Sequence, residues 1–326
     1  MGIFDRLFGR KQPDAAPAEQ TPAPAPAQQL APSAPEAPPE PQPVAQESGE
    51  PGESVPLRLQ VLFPKPPKLD GQAFIRTFER LHRSMLGAKL EVEEDAAGAR
   101  GKAIWGRHIV EIFVRNHPMP KDAAERAIAP AHYRSDQKDQ ARAHGAYLLL
   151  NYRGSDPSPW NQYAALTAVA SIFTRQGATT IANSDALTSV PASALQQIFG
   201  TTDAWGMLLA MPPAVLYCGF AKYNAPDGKG VWMRTHGCER LGLPDLAMLA
   251  SDHSEGMRVV NLFNEVIGSV RQSNSAPTGG STLELTPHVS VRFRDPNPGE
   301  LFERERGHLL VLESMSVGDQ PAITSI

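Results

Sequence analysis

The stretch "RTHGCERLGLPDLAML", Arg234 to Leu249, sets His236 two residues before Cys238 and puts Glu239 beside them. A thiol with an imidazole in reach is the raw material of a nucleophilic site, because a base favours the thiolate that reacts. Residues two apart on an extended strand share a face, so the pair meets only if the strand continues past His236. Gly237 and the following "CERLG" read instead as a strand end and a turn, which would rotate the two side chains apart. Cys238 is therefore read as structural, with the nucleophile as the sharper alternative. Cys218, in an apolar run, reads as a buried small hydrophobe.

Metal chemistry would need ligands that converge. Among the nine histidines, His132, His144, His236 and His253 are the candidates, but their spacing forms no His-Glu-x-x-His helix or other compact ligand motif. His144, at the entrance to "GAYLLL", suits a different task, anchoring a strand end through a ring nitrogen. No phosphate-binding glycine loop, dinucleotide-binding turn or serine elbow occurs. The run Glu91, Glu93, Glu94 and Asp95 reads as a solvated strand edge rather than an acid and base pair. No catalytic residue, metal or cofactor is assigned on this basis, and His144, His236 and Cys238 stand as the pocket candidates.

These side chains need elements to hold them, and the periodicity supplies these from Val55 onward. In "VPLRLQVLFP", Leu57, Leu59, Val61 and Phe63 alternate as in a half-buried strand. "DGQAFIRTFERLHRSML" reads as an amphipathic helix with Asp70 as N-cap, ending near Gly87. "AKLEVEED" and "WGRHIVEIFVRN" read as strands joined by a turn at "AAGARGK". A short helix, "MPKDAAERAIA", and a strong apolar strand, "HGAYLLLNYRG", complete the order strand, helix, strand, strand, helix, strand. That order predicts a ferredoxin-like first α+β unit over residues 55–155.

Residues 156–318 read as a second α+β unit with a largely antiparallel sheet, packed on the first as one body. It opens with a helix in "SPWNQYAALTAVASIFTRQGA", where Pro159 suits the first turn. "TTIAN" is a small strand and "PASALQQIF" and "DAWGMLLAM" are short helices. "AVLYCGFAKY", "GVWMRTHG" and "LPDLAMLAS" predict a three-stranded meander. "SEGMRVVNLFNEVIGSVRQ" is a helix with Ser254 as its cap candidate, and "HVSVRFRD" and "HLLVLESM" are late strands. Residues 319–326 read as a flexible end.

The first 54 residues are different in kind. Of the 31 prolines, 13 fall between Pro13 and Pro56, and no aromatic lies between Phe8 and Phe63, so nothing there offsets ordering entropy. Residues 13–54 are expected to be a disordered Pro/Ala-rich linker. Ahead of it, residues 1–12 carry Ile3, Phe4, Leu7 and Phe8 on one helical face with basic residues elsewhere, which fits a terminus without a role, a docking segment for a protein partner or a weak contact for an anionic membrane surface. Gly2 lacks the Ser or Thr that myristoylation wants, since Arg6 stands there.

A net charge of -4 gives no general attraction to nucleic acid. Two cysteines build no disulfide framework, no apolar run spans a bilayer, and no secretory leader is recognisable, so a reducing cytoplasm is expected. The pattern "HGAYLLLNYRGSDPSPWNQYAALTAVASIF", together with "VWMRTHGCERLGLPDLAMLASD" and the Gly279–Gly280 turn, resembles the bacterial domain-of-unknown-function 4261 family over roughly residues 56–315. The segment "APTGGSTLELTP" departs from that family's acidic turn. The resemblance implies an uncharacterised bacterial cytoplasmic α+β domain and brings no catalytic residue. The reading that follows is a non-catalytic binding or regulatory module recruited through its N-terminal segment. The alternative is a small-molecule enzyme with its pocket between the two units.

Overall fold

Alternation in the first apolar run has its expected result, because Leu59, Val61 and Phe63 turn to one face of β1 (Arg58–Phe63) and are shielded from water. The computed structural model describes residues 56–95, 98–196, 203–273, 275–286, 289–300 and 309–316. The segments read as docking peptide, linker and flexible end, 1–12, 13–54 and 319–326, lie outside them.

The first sheet has seven strands, adding β2 (Lys89–Asp95), β3 (Gly98–Trp105), β4 (His108–Arg115), β5 (Ala146–Tyr152), β6 (Thr180–Asn183) and β7 (Thr188–Pro191) to β1. Their order is β2-β3-β4-β5-β1-β6-β7, with every neighbouring pair antiparallel. The α+β class is as expected, but the ferredoxin-like order is corrected. "AAGARGK" is mostly strand, so three strands, not two, lie between the first helix and the second, and β1 pairs with β5 and β6. Gly101 sits inside β3 because Leu69 and Leu90 side chains lie over it, only 3.3 Å from where a Cβ would be. The boundary at residue 155 does not divide the sheets either, since β6 and β7 belong to the first.

Helix α1 (Gly71–Phe78) begins where the Asp70 carboxylate accepts from the Ala73 N–H at 2.9 Å, and it buries Phe74 and Phe78. The chain beyond it is a separate 3₁₀ turn at Arg83–Met85 rather than more helix. On the opposite face of the sheet lie α2 (Lys121–Ile128) and α3 (Ser135–Arg142), which gather Met119, Ala124, Ile128 and Ala141 over Leu62. Helix α3 escapes sequence reading because "SDQKDQAR" buries only Ala141 and has no apolar period.

Helix α4 (Pro159–Thr174) is buried all round from Tyr163 to Thr174, as an apolar helix without a polar face must be. Its hydroxyls turn back on its own carbonyls, Thr167 to Tyr163, Ser171 to Ala168 and Thr174 to Ser171. It packs on β1, β4 and β5 and against α5 (Ala192–Gln196) and α6 (Ala204–Leu209). "AVLYCGFAKY" is not all strand: it starts as α7 (Pro213–Leu216), and β8 (Gly219–Asn224) follows.

The second sheet adds β9 (Val231–His236), β10 (Asp245–Ala250), β11 (Thr282–Thr286), β12 (Val289–Arg294) and β13 (Leu309–Ser316) to β8. Its order is β11-β12-β13-β10-β9-β8, antiparallel except for β10 with β13. Helix α8 (Gly256–Ser273) buries Val259, Phe263, Val266 and Val270 against its inner face. Ser254 is not its cap but sits in a 3₁₀ turn capped by Asp252. One apolar core runs from α1 and α4 on the first sheet to Met233, Val291, Phe293 and Leu312 on the second.

The two sheets meet at the β6–β7 loop. Asn183, fully buried, donates its amide to the Leu216 carbonyl at 3.0 Å and accepts from the Ala186 N–H at 3.2 Å. Asp185 takes the Arg58 guanidinium at 2.8 Å and Arg240 at 3.4 Å. Ala186 then lies directly against Gly219 and Gly237, at the base of the β8–β9 hairpin.

Candidate functional site

Strand β8 is the edge of the second sheet, and its burial falls off from Gly219 to Asn224, so Lys222 and Tyr223 reach its open side. Opposite stand the end of α2, the turn after it, and α3. Between them lies a cleft of about 640 Å³. Arg126, Lys138 and Lys222 contribute three positive side chains to its lining, His132 and Tyr223 add polar rings, and among the described residues no carboxylate lines it. Leu187, the one described non-glycine residue with a positive φ (51°), also lines it.

Two of the cations, Lys138 and Lys222, are held from behind. The Lys138 ammonium donates to the Ala129 carbonyl at 2.7 Å, and burial lowers its pKa, with the Arg142 charge adding to the effect. The Lys222 ammonium donates to the His253 carbonyl at 2.8 Å. His132 donates from Nε2 to the Phe220 carbonyl at 3.3 Å, bridging the two sides of the cleft. The protein packed around its ring and the Lys222 charge pull its pKa down to about 4, although its exposed edge limits how far desolvation can carry the shift. At neutral pH it is an uncharged polar group beside three cations. The lining offers an anion charge complementarity, and among the described residues it holds no serine, threonine or cysteine to act as a nucleophile.

At the rim, the Tyr223 hydroxyl lies 2.8 Å from His236 Nε2. Burial, with Arg234 as the second cause, lowers the His236 pKa to about 4, so the neutral ring accepts and the phenol donates. This fixes a sign. A histidine depressed from 6.5 to about 4 stabilises the fold fully above pH 6.5 and loses that contribution as pH falls toward 4. Between pH 7 and pH 5 the protein should lose about 2 kcal/mol through His236. Urea midpoints at the two pH values measure the loss, and a His236→Gln variant with an unchanged pH dependence would refute the assignment.

The structure separates the residues that sequence spacing had brought together. His236 ends β9 on the outer face of its sheet, whereas Cys238, after Gly237 at φ 87°, begins the 3₁₀ turn Cys238–Leu241 and is itself buried. The Cys238 thiol meets Cys218 at 3.1 Å and Thr235 at 3.2 Å, and burial pushes its pKa up, away from nucleophilic character. His144 is buried elsewhere. Its Nδ1 donates to the Ala141 carbonyl at 2.7 Å and its Nε2 accepts from the Met119 N–H at 2.9 Å, so the backbone uses both nitrogens. His253 meets Asn224 at 3.0 Å. Among the described residues no three His, Cys, Asp or Glu side chains gather as a metal site. Glu91, Glu93 and Glu94 lie on β2, the outer strand of the first sheet, and Glu93 faces Arg100 at 3.6 Å. Ile3, Phe4, Leu7 and Phe8 fall outside the described residues.

Sequence reasoning missed most of the cleft. Spacing offers His132 only as a metal ligand, and nothing in the pattern singles out Lys138 or Lys222. The residues that oppose each other there, such as His132 and Phe220, are 88 positions apart. Among the described residues no helix is long and apolar enough to cross a membrane. No family model, no curated protein and no solved structure matches the chain.

Proposed function

We propose that this protein is a bacterial cytoplasmic α+β domain, as the domain-of-unknown-function 4261 resemblance implies, and that it works as a non-catalytic binding or regulatory module. In this reading it is recruited through Ile3, Phe4, Leu7 and Phe8, and it holds an anionic small molecule or an acidic side chain in the cleft between α2, α3 and β8. The observation that carries the second part is the lining itself, three cations with no carboxylate among the described residues. Opposite charges held in a concave, partly desolvated place attract far more than the same charges spread over an open surface.

Thermal unfolding in inorganic phosphate, citrate and a nucleoside monophosphate tests this. At least one should raise the midpoint by about 2–4 °C near saturation. The double variant Arg126→Glu, Lys138→Glu should keep the unliganded midpoint and lose the rise. No rise with any probe, or the same rise in the variant, defeats the anion reading. Removing residues 1–12 should leave both melts unchanged and abolish co-purification of a partner from the native cell; unchanged co-purification would count against recruitment by that segment.

A second reading, a small-molecule enzyme with its pocket between the two sheets, rests on Tyr223 and His236 at the rim. A neutral imidazole that accepts the phenol's hydrogen bond positions that hydroxyl for acid–base work there. Turnover that survives both Tyr223→Phe and His236→Gln would exclude it.

A further inference from the structure

Cys218 and Cys238 are both wholly shielded from water, with their Sγ atoms 3.1 Å apart. They flank the base of one hairpin, because Gly219 of β8 pairs with His236 of β9, so each cysteine lies just outside the last paired residues. The surroundings hold them there. The Cys238 N–H donates to Asp245 at 3.0 Å, Thr235 Oγ1 lies 3.2 Å from the Cys238 sulfur, and Cys218 N–H donates to the Pro213 carbonyl at 2.8 Å. Neither thiol belongs to the cleft, and neither is needed by the proposed binding function.

We propose that Cys218 and Cys238 form an oxidation site, at which a peroxide converts the two thiols to an intramolecular disulfide. One cysteine, as thiolate, attacks a peroxide oxygen and breaks the O–O bond; its sulfur becomes a sulfenic acid and hydroxide leaves to be protonated to water. The neighbouring sulfur then attacks the sulfenic sulfur, the S–S bond forms, the S–O bond breaks, and the second thiol proton leaves with the oxygen as a second water. The two sulfurs together lose two electrons, and hydrogen peroxide gains them. The first step is slow in the closed fold, because burial disfavours the thiolate and excludes the oxidant, so it proceeds through local opening of the hairpin base. The second is fast, because the resolving sulfur is already in place. The disulfide closes a loop of about 20 residues and restricts the unfolded chain.

The test uses the reduced full-length protein treated with hydrogen peroxide and then alkylated under denaturing conditions. The titratable thiols should fall from two to none. Tryptic fragments 176–222 and 235–240 should appear joined, two hydrogens lighter than their sum. The melting midpoint should rise by about 5 °C and return on reduction. Low urea should speed the reaction, and Cys218→Ser or Cys238→Ser should each remove the joined fragment and the rise. Two thiols that persist in peroxide even in low urea would overturn the proposal. So would a sulfinic acid on one cysteine without the joined fragment, or a disulfide between two molecules.

Discussion

Gly219→Ala should lower the unfolding free energy by about 4 kcal/mol or more, among the largest losses a single methyl group can cause. A Cβ at that position would stand 1.9 Å from the Ala186 carbonyl oxygen, 3.1 Å from its carbon and 3.2 Å from the Leu187 oxygen. All three are backbone atoms, so no rotamer change relieves the clash. The loop cannot retreat cheaply, since Asn183 and the Arg58–Asp185 ion pair fix it from behind. Strand β8 cannot retreat without breaking its register with β9, where Gly219 pairs with His236. Gly268, in α8 with open space around the would-be Cβ, supplies the control: alanine there should stabilise by about 0.5–1 kcal/mol. Urea denaturation followed by circular dichroism decides between them, and a Gly219→Ala loss under about 1 kcal/mol would show that the two sheets are not in the contact described.

The second large effect is expected at Asp245, whose carboxylate is an acceptor for three groups. Arg234 reaches it at 3.2 Å, Thr235 Oγ1 at 3.2 Å and the Cys238 N–H at 3.0 Å. Asp245→Ala leaves a buried guanidinium and a buried amide without that acceptor and should cost about 3–5 kcal/mol. Asp245→Asn keeps an acceptor oxygen of the same shape and should cost markedly less. Burial raises the Asp245 pKa more than its partners lower it. An acid raised in this way stabilises the fold fully below its unfolded value near 3.8, and that contribution is lost as pH rises through the folded value. The carboxylate therefore carries a desolvation cost at neutral pH that asparagine does not. Equal losses for alanine and asparagine would mean that the acceptor atoms are not what matters.

Sequence patterns revealed elements whose burial is one-sided and repeated. β1, β5 and α8 follow from alternation or helical spacing, and α4 from a long apolar run after proline. Elements that bury little or lie across glycine were misread. β3 reads like a turn because Gly98 and Gly101 enclose Ala99 and Arg100, although the side chains of Leu69 and Leu90 cover Gly101. β11 exposes alternate residues on an outer strand, and β7 is four residues long, so neither displays a usable period. For the site, Gly237 was enough to indicate that His236 and Cys238 part company. The basic cleft was illegible for another reason: its charges come from α2, α3 and β8, and only the folded chain makes neighbours of them.

The position of β13 has a consequence for synthesis. It lies between β10 and β12, parallel to β10, yet about 60 residues separate the end of β10 from its first residue. At the ribosome's pace of roughly 5–20 residues per second, the bonding edge of β10 waits about 3–12 s for its partner. During that interval the β8–β9–β10 meander is half a sheet with an open edge, able to join a neighbouring nascent chain. The vulnerable interval for this molecule is therefore the one before β13 is available, when the native contacts cannot yet cover the β10 edge.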